Sequence, residues 1–139
     1  MRAKIVKVGI MSFKVFQKYT KAIASGKYKP QKNAPKIWFE SVETCMQILS
    51  TKNIELLKLI EKEKPASIEE LSRISGRNKG NLSRTLKTFQ RHQLVDLIEE
   101  DRRKKPVALA TQFDIQVGRN MPAFMFDKDF MPQQNEVAC

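Results

Sequence analysis

The chain has 139 residues and a mass of 16.1 kDa, a length that suits one compact domain with a short appendage and excludes two large ones. Hydrophobic residues make up 41% and charged residues 29%, and 26 Lys+Arg stand against 15 Asp+Glu, so a modest core carries a cationic field of formal charge +11. No apolar run approaches the roughly 18 residues that cross a bilayer, and Arg2, Lys4 and Lys7 interrupt the stretch where a signal peptide would need its apolar core. A cytoplasmic protein is expected. Cys45 and Cys139 make neither a disulfide framework nor a metal-ligand spacing, which fits a reducing compartment.

The charge is unevenly distributed. Residues 1–36 carry 10 basic groups and no acidic one, residues 37–119 carry 15 basic and 12 acidic, and beyond them Lys128 faces Asp127, Asp129 and Glu136. A single-sign front of this kind attracts polyanions by counterion release, or anionic membranes, and is otherwise a solubilising surface.

In chain order, residues 3–10 are rich in β-branched side chains and read as a short strand. Ser12 caps a helix to about Ser25, with Phe13, Phe16, Tyr19 and Ile23 as its packing stripe and Gly26 as the left-handed stop. Residues 27–35, with two prolines and three lysines, read as a linker, and Lys36 to Phe39 as a short extended piece. Ser41 is the next N-cap. Val42, Cys45, Met46 and Leu49 form the core-facing stripe of one helix, and Ile54, Leu57 and Ile60 that of a second, which ends before Pro65.

Ser67-Ile68-Glu69-Glu70 fits a capping box, the serine hydroxyl serving the Glu70 amide and the Glu70 carboxylate reaching back to the serine amide. Ile68, Leu71 and Ile74 face inward, Gly76 stops the short helix, and Asn78 caps another at once. Leu82, Leu86 and Phe89 recur at helical spacing as its buried face. Strands are expected at 94–98 and 107–110, with residues 99–106 as the connecting hairpin. The resulting fold class is α+β, mainly α: a winged helix-turn-helix over 36–118, a basic N-terminal β-α unit and linker over 1–35, and a flexible or partner-binding tail over 119–139.

At about 100° per residue, Gly80, Arg84, Lys87 and Arg91 fall opposite the Leu82 stripe, with Asn81, Ser83 and Thr88 flanking it. A recognition helix needs this division: one face held in the core, the other offering donors to phosphates and base edges in a major groove. Arg84 can pair bidentately with guanine and Asn81 with adenine, Ser83 or Thr88 can reach phosphate oxygens, and Gly80 lets the backbone approach. Arg77, Asn78 and Lys79 lead into the same helix, and Arg102, Arg103, Lys104 and Lys105 would form a wing that touches the backbone or the adjacent minor groove. An exposed helix matches a DNA major groove, whereas A-form RNA buries its own, so double-stranded DNA is the expected partner. The bland alternative is a solvated cationic face and a solubilised turn.

Residues 37 to about 111 resemble the MarR-like winged-helix regulators of prokaryotes, most closely in Ser67 to Leu71, Gly76-Arg77, Asn81 to Lys87 and Leu94-Val95. More narrowly, Trp38 to Ser41, the helix pair from Leu49 to Leu57 and the basic β-α unit look like the small regulators that serve as antitoxins beside a toxin. The resemblance implies that Arg77, Asn81, Ser83, Arg84 and Lys87 face DNA and that Arg102 to Lys105 form the wing; a homodimer is expected because one recognition helix gives limited contact area and a two-fold operator calls for two half-sites. It also implies glycine just before the Leu-Val that opens the wing, where this chain has Gln93; a positive φ there would cost glutamine on the order of 1 kcal/mol.

An enzyme is not expected. His92 is the sole histidine and reads as a helix C-terminal residue, and no nucleophile motif or phosphate loop accompanies it, so no cofactor or metal is implied. Phe124, Phe126 and Phe130 in the acidic tail are the candidate partner-binding residues, for a cognate toxin or for the protein's own domain. The alternatives to an antitoxin are a stand-alone MarR-like repressor and a protein-binding inhibitor whose DNA binding is nonspecific.

Overall fold

A computed structural model describes residues 4–30, 32 and 34–117, which divide into two compact units. The first contains residues 4–6 and 46–114, the second residues 7–45 and 115–117. The fold is α+β and mainly helical: β1 (Ile5–Ile10), α1 (Phe13–Ala24), β2 (Ile37–Phe39), α2 (Val42–Ile48), α3 (Thr51–Glu63), α4 (Ile68–Ser75), α5 (Lys79–Arg91), β3 (Val95–Glu100), β4 (Arg103–Ala108) and β5 (Gln112–Gln116). One sheet has the order β2-β1-β5, and β3 pairs with β4 in the other. No described helix is long and apolar enough to cross a membrane.

The first unit is a winged helix-turn-helix, α3-α4-α5 followed by the hairpin β3-β4. Ser50 caps α3 by accepting from the Asn53 amide at 3.3 Å, and Ser67 caps α4 by accepting from the Glu70 amide at 3.1 Å. The returning half of the capping box is displaced: Glu70 Oε2 accepts from the Ala66 amide at 2.9 Å rather than from that of Ser67. Gly76 ends α4 in the left-handed region at φ 75°, as its sequence position demands. Leu57, Leu71, Leu82, Leu86, Phe89 and Leu94 are all completely buried and form the core of this unit.

α5 ends in a Schellman motif built on glutamine. The Leu94 amide donates to the Phe89 carbonyl at 2.8 Å and the Gln93 amide to that of Gln90 at 3.1 Å, with Gln93 left-handed at φ 61°. The position that glycine would suit therefore does need a positive φ. Burial of both Phe89 and Leu94 supplies the apolar contact that usually accompanies the motif.

The hairpin is tighter than its charges suggested. Its turn is only Asp101-Arg102, both with positive φ (49° and 65°), as a type I′ turn requires. Arg103, Lys104 and Lys105 lie in β4, so residues 99–106 are mostly paired strand and not a loop. The register explains why charged residues accept strand positions here, since Glu99 stands opposite Lys104 and Glu100 opposite Arg103.

Lys4 ties residues 4–6 into this unit. Its amide donates to Thr111 Oγ1 at 3.0 Å, its carbonyl accepts from the Thr111 and Gln112 amides, and its ammonium donates to the Ala108 carbonyl at 2.9 Å and pairs with Glu61 at 2.9 Å.

The second unit is a small β-α-β element, β1-α1-β2, with β1 and β2 parallel in the register Val8↔Ile37, Gly9↔Trp38 and Ile10↔Phe39. Val15, Tyr19 and Ala22 are the buried face of α1, and Phe16, Ile23, Tyr28 and Trp38 pack around Met11, Val15 and Tyr19. Residues 27–30, 32 and 34–35 thus belong to the return of a crossover connection. A Cβ on Gly9 would fall onto the Trp38 ring, so only glycine admits the indole directly across the ladder.

Two expected stripes are narrower than expected. Phe13 is 62% exposed because it lies about 120° around α1 from Tyr19, off the packing face. On α2, Cys45 is buried, as is Leu49 just past the helix end, but Val42 and Met46 are 39% and 46% exposed, since this seven-residue helix turns only a narrow face inward. Burial pushes the Cys45 thiol pKa up, as suits a small core residue.

Gln93→Gly is expected to raise the stability of the protein by about 1 kcal/mol, because it removes a left-handed non-glycine residue without touching the motif's hydrogen bonds. Urea unfolding of both forms checks this; an unchanged or lower midpoint would mean that the glutamine side chain offsets its backbone strain.

Candidate nucleic-acid interface

α5 separates its side chains by depth. Leu82, Leu86 and Phe89 are fully buried, whereas Gly80, Asn81, Arg84, Lys87 and Arg91 are exposed on the outward side, with Ser83 and Thr88 half-buried at the margins. The helix packs against α4 and β3, so its basic face points away from both. No acidic residue lies within α5, and the cationic face has no carboxylate of its own helix to neutralise it.

The residues leading into α5 have duties within the fold. The Arg77 guanidinium, half-buried, donates to the Lys52 carbonyl at 2.8 Å and to Asn53 Oδ1 at 3.5 Å, which fastens the turn to the start of α3. Its carbonyl accepts from the Ser72 hydroxyl at 2.6 Å. Asn78 Oδ1 accepts from the Gly80 and Asn81 amides at 2.7 and 3.4 Å, the N-cap expected of it. A Cβ at Gly80 would lie 3.1 Å from that oxygen, so the glycine also makes room for the cap.

Two further donors already have partners. Lys79 Nζ pairs with Glu69 at 2.6 Å, and this hydrogen bond is the main cause that holds the Glu69 carboxyl below its ordinary pKa. The Thr88 hydroxyl donates to the Arg84 carbonyl at 3.1 Å. Of the residues the sequence pattern selects on this helix, the side chains left projecting are therefore Asn81, Arg84, Lys87 and Arg91, a smaller set than that pattern alone gives.

The wing presents Arg102 at its tip, with Arg103 and Lys104 exposed and Lys105 half-buried in β4. Because Glu100 and Glu99 stand across from Arg103 and Lys104, much of the wing's basic charge is balanced within the hairpin, and Arg102 has only Asp101 beside it in the turn. This balance was not visible without the register. Burial, and secondarily Arg91, lower the His92 pKa, so the imidazole at the end of α5 favours its neutral form rather than the cation that would suit the helix dipole. No group of three His, Cys, Asp or Glu among the described residues could hold a metal ion. Phe124, Phe126 and Phe130 lie outside the described residues.

Residues 48–115, from the end of α2 into β5, match a family model described as HVO_A0114. No curated protein matches. Among solved structures, one described as the crystal structure of a predicted DNA-binding transcriptional regulator from E. coli aligns with 18% identity and a TM-score of 0.41, covering 65% of this chain and 80% of that one.

The two arginines at either end of this surface should separate in a stability assay. Arg77→Ala is expected to cost about 1 kcal/mol through its lost hydrogen bonds to α3, while Arg84→Ala should stay within about 0.5 kcal/mol of the parent. Equal denaturation midpoints for the two variants would remove the fastening role of Arg77.

Proposed function

We propose that this chain is a sequence-specific, double-stranded DNA-binding transcriptional regulator. The observation that supports it is the depth profile of α5: a stripe with no solvent exposure on one side, and Asn81, Arg84, Lys87 and Arg91 exposed on the other. In this reading α5 lies in a major groove, where Arg84 reads guanine and Asn81 adenine while Lys87 and Arg91 reach phosphates. Gly80 keeps the helix start low against the backbone, and Arg102 extends the contact along the duplex from the wing. Arg77, Asn78 and Lys79 act chiefly by setting the position of the helix. One such helix gives limited contact area, so a homodimer on a two-fold operator completes the reading.

The finer form is a MarR-like antitoxin that represses its own operon and neutralises a toxin. Its support is the resemblance of residues 37 to about 111 and of the N-terminal β-α unit, together with the composition of the tail. A stand-alone repressor is the simpler version of the same reading.

Selection of bound sequences from a random duplex pool at two salt concentrations tests the proposal, and an inverted repeat enriched at both is the expected result. On the selected site Arg84→Ala should lose roughly 1 to 3 kcal/mol of discrimination at one base pair, whereas Arg102→Ala should weaken every duplex and flatten the salt slope by about one unit. Equal losses on all sequences from both variants would sink the role of Arg84. For the antitoxin, deleting residues 119–139 should leave operator affinity intact and end neutralisation of a co-expressed toxin; neutralisation that survives the deletion would remove the tail from that role.

A further inference from the structure

The second unit carries a charge that the reading of α5 does not use. Residues 7–45 contain eight lysines, no arginine, and only two acids, Glu40 and Glu43, both after the last lysine. On α1, Lys14, Lys18 and Lys21 recur at i, i+4 and i+7, within an arc of roughly 60° beside the buried Val15, Tyr19 and Ala22, and they span about 10 Å of helix axis. Lys27 and Lys29 follow as exposed residues, and the Lys36 amide donates to the Lys7 carbonyl at 3.1 Å, which brings the ends of the β-α-β element together.

We propose that this lysine-rich β-α-β element is a second, sequence-independent contact for the phosphate backbone of duplex DNA, separate from α5. The inference rests on the reading of the chain as a DNA-binding protein. Three observations favour it over a solubilising face. The lysines stand on an ordered scaffold, held by the parallel pairing of β1 with β2 and by rings of Tyr19, Tyr28 and Trp38 whose centroids lie 5.5 to 5.8 Å apart. The charge has a single sign even at helix neighbours three and four residues apart, where like charges weaken the helix and interspersed acids would keep solubility without that repulsion. The cations are also of one kind: ammonium groups act as point charges on phosphate, whereas guanidinium forks suit bases, and between Arg2 and Arg73 the chain has no arginine.

A membrane surface fits less well. An interfacial helix offers its apolar face to lipid, but the apolar face of α1 is consumed by its own unit through Val15, Tyr19 and Ala22. The exposed Phe13 lies about 80 to 140° around the helix from the lysines, not beside them.

The test uses the full chain with Lys21, Lys27 and Lys29 all changed to Gln, and a second variant with Lys32→Gln and Lys36→Gln, all exposed positions. Each is titrated with an unrelated duplex of about 30 base pairs between about 50 and 200 mM salt, beside the parent and Arg84→Ala. The expected result is a salt slope smaller by up to about 0.9 per lysine removed, with discrimination between selected and unrelated duplexes unchanged. Slopes equal to the parent's in both variants would overturn the proposal. So would loss of binding to phosphatidylserine vesicles without loss on DNA, which would assign the surface to membranes. If Arg84→Ala leaves discrimination untouched while the lysine variants flatten the slope, the role of α5 falls and the lysine contact stands. A parent that binds no duplex overturns both.

Discussion

The complete burial of Leu82, Leu86 and Phe89 is the constraint on which the rest of the winged-helix unit depends. A helix with no acidic residue, whose exposed side chains are all polar or basic, gains little from its own surface. Its stability comes from the packed stripe, where truncating one such leucine typically costs 2 to 5 kcal/mol. The stripe fixes the rotation of α5 about its axis, and that rotation decides which residues project. The same three side chains that hold the helix therefore select Arg84 and Lys87 as outward groups. Phe89 has a second duty, because its carbonyl closes the Schellman motif from which β3 departs.

The first unit also concentrates unusual backbone. Among the described residues, the four non-glycine residues with positive φ are Lys64, Gln93, Asp101 and Arg102. Each ends an element of the winged helix: Lys64 follows α3, Gln93 follows α5, and Asp101 with Arg102 turns the hairpin. Glycine would serve each place at lower conformational cost but would leave the wing tip without a side chain. At Lys64 the charged side chain lies 3.8 Å from Glu61, the carboxylate that also receives Lys4. The polar tie that fixes the start of β1 and the cap of α3 thus share one acidic group, 13% exposed, at the foot of β4.

What could be read in advance was whatever the chain encodes locally. Ser12, Ser41 and Ser67, the stop at Gly76, the cap at Asn78 and the α5 stripe depend on residues within one or two turns of each other, so their spacing specifies them. Gln93 stood out only through the resemblance to regulators that place glycine there, not through a pattern of its own. What was hidden depends on partners far apart in the chain. The wing was expected as a loop because its charges resemble a solvated turn, and only the pairing of Glu99 with Lys104 and Glu100 with Arg103 shows them to be strand neighbours. Gly9 is required by Trp38, and Lys4 by Glu61, Ala108 and Thr111, relations that no local pattern carries. The candidate interface followed the same rule: its exposed face was legible from helical periodicity, whereas the internal duties of Arg77, Lys79 and Thr88 were not.

The aromatic cluster of the β-α-β element has a practical corollary. Trp38 is the only tryptophan and His92 the only histidine, and they fall in different compact units. Indole emission, with Tyr19 5.5 Å away as an energy donor, reports on the lysine-rich element. The imidazole proton resonances report on the end of α5 and the start of the wing. The wild-type chain thus carries one built-in spectroscopic label per unit, and the order in which two surfaces meet a ligand can be followed without attaching a dye to either.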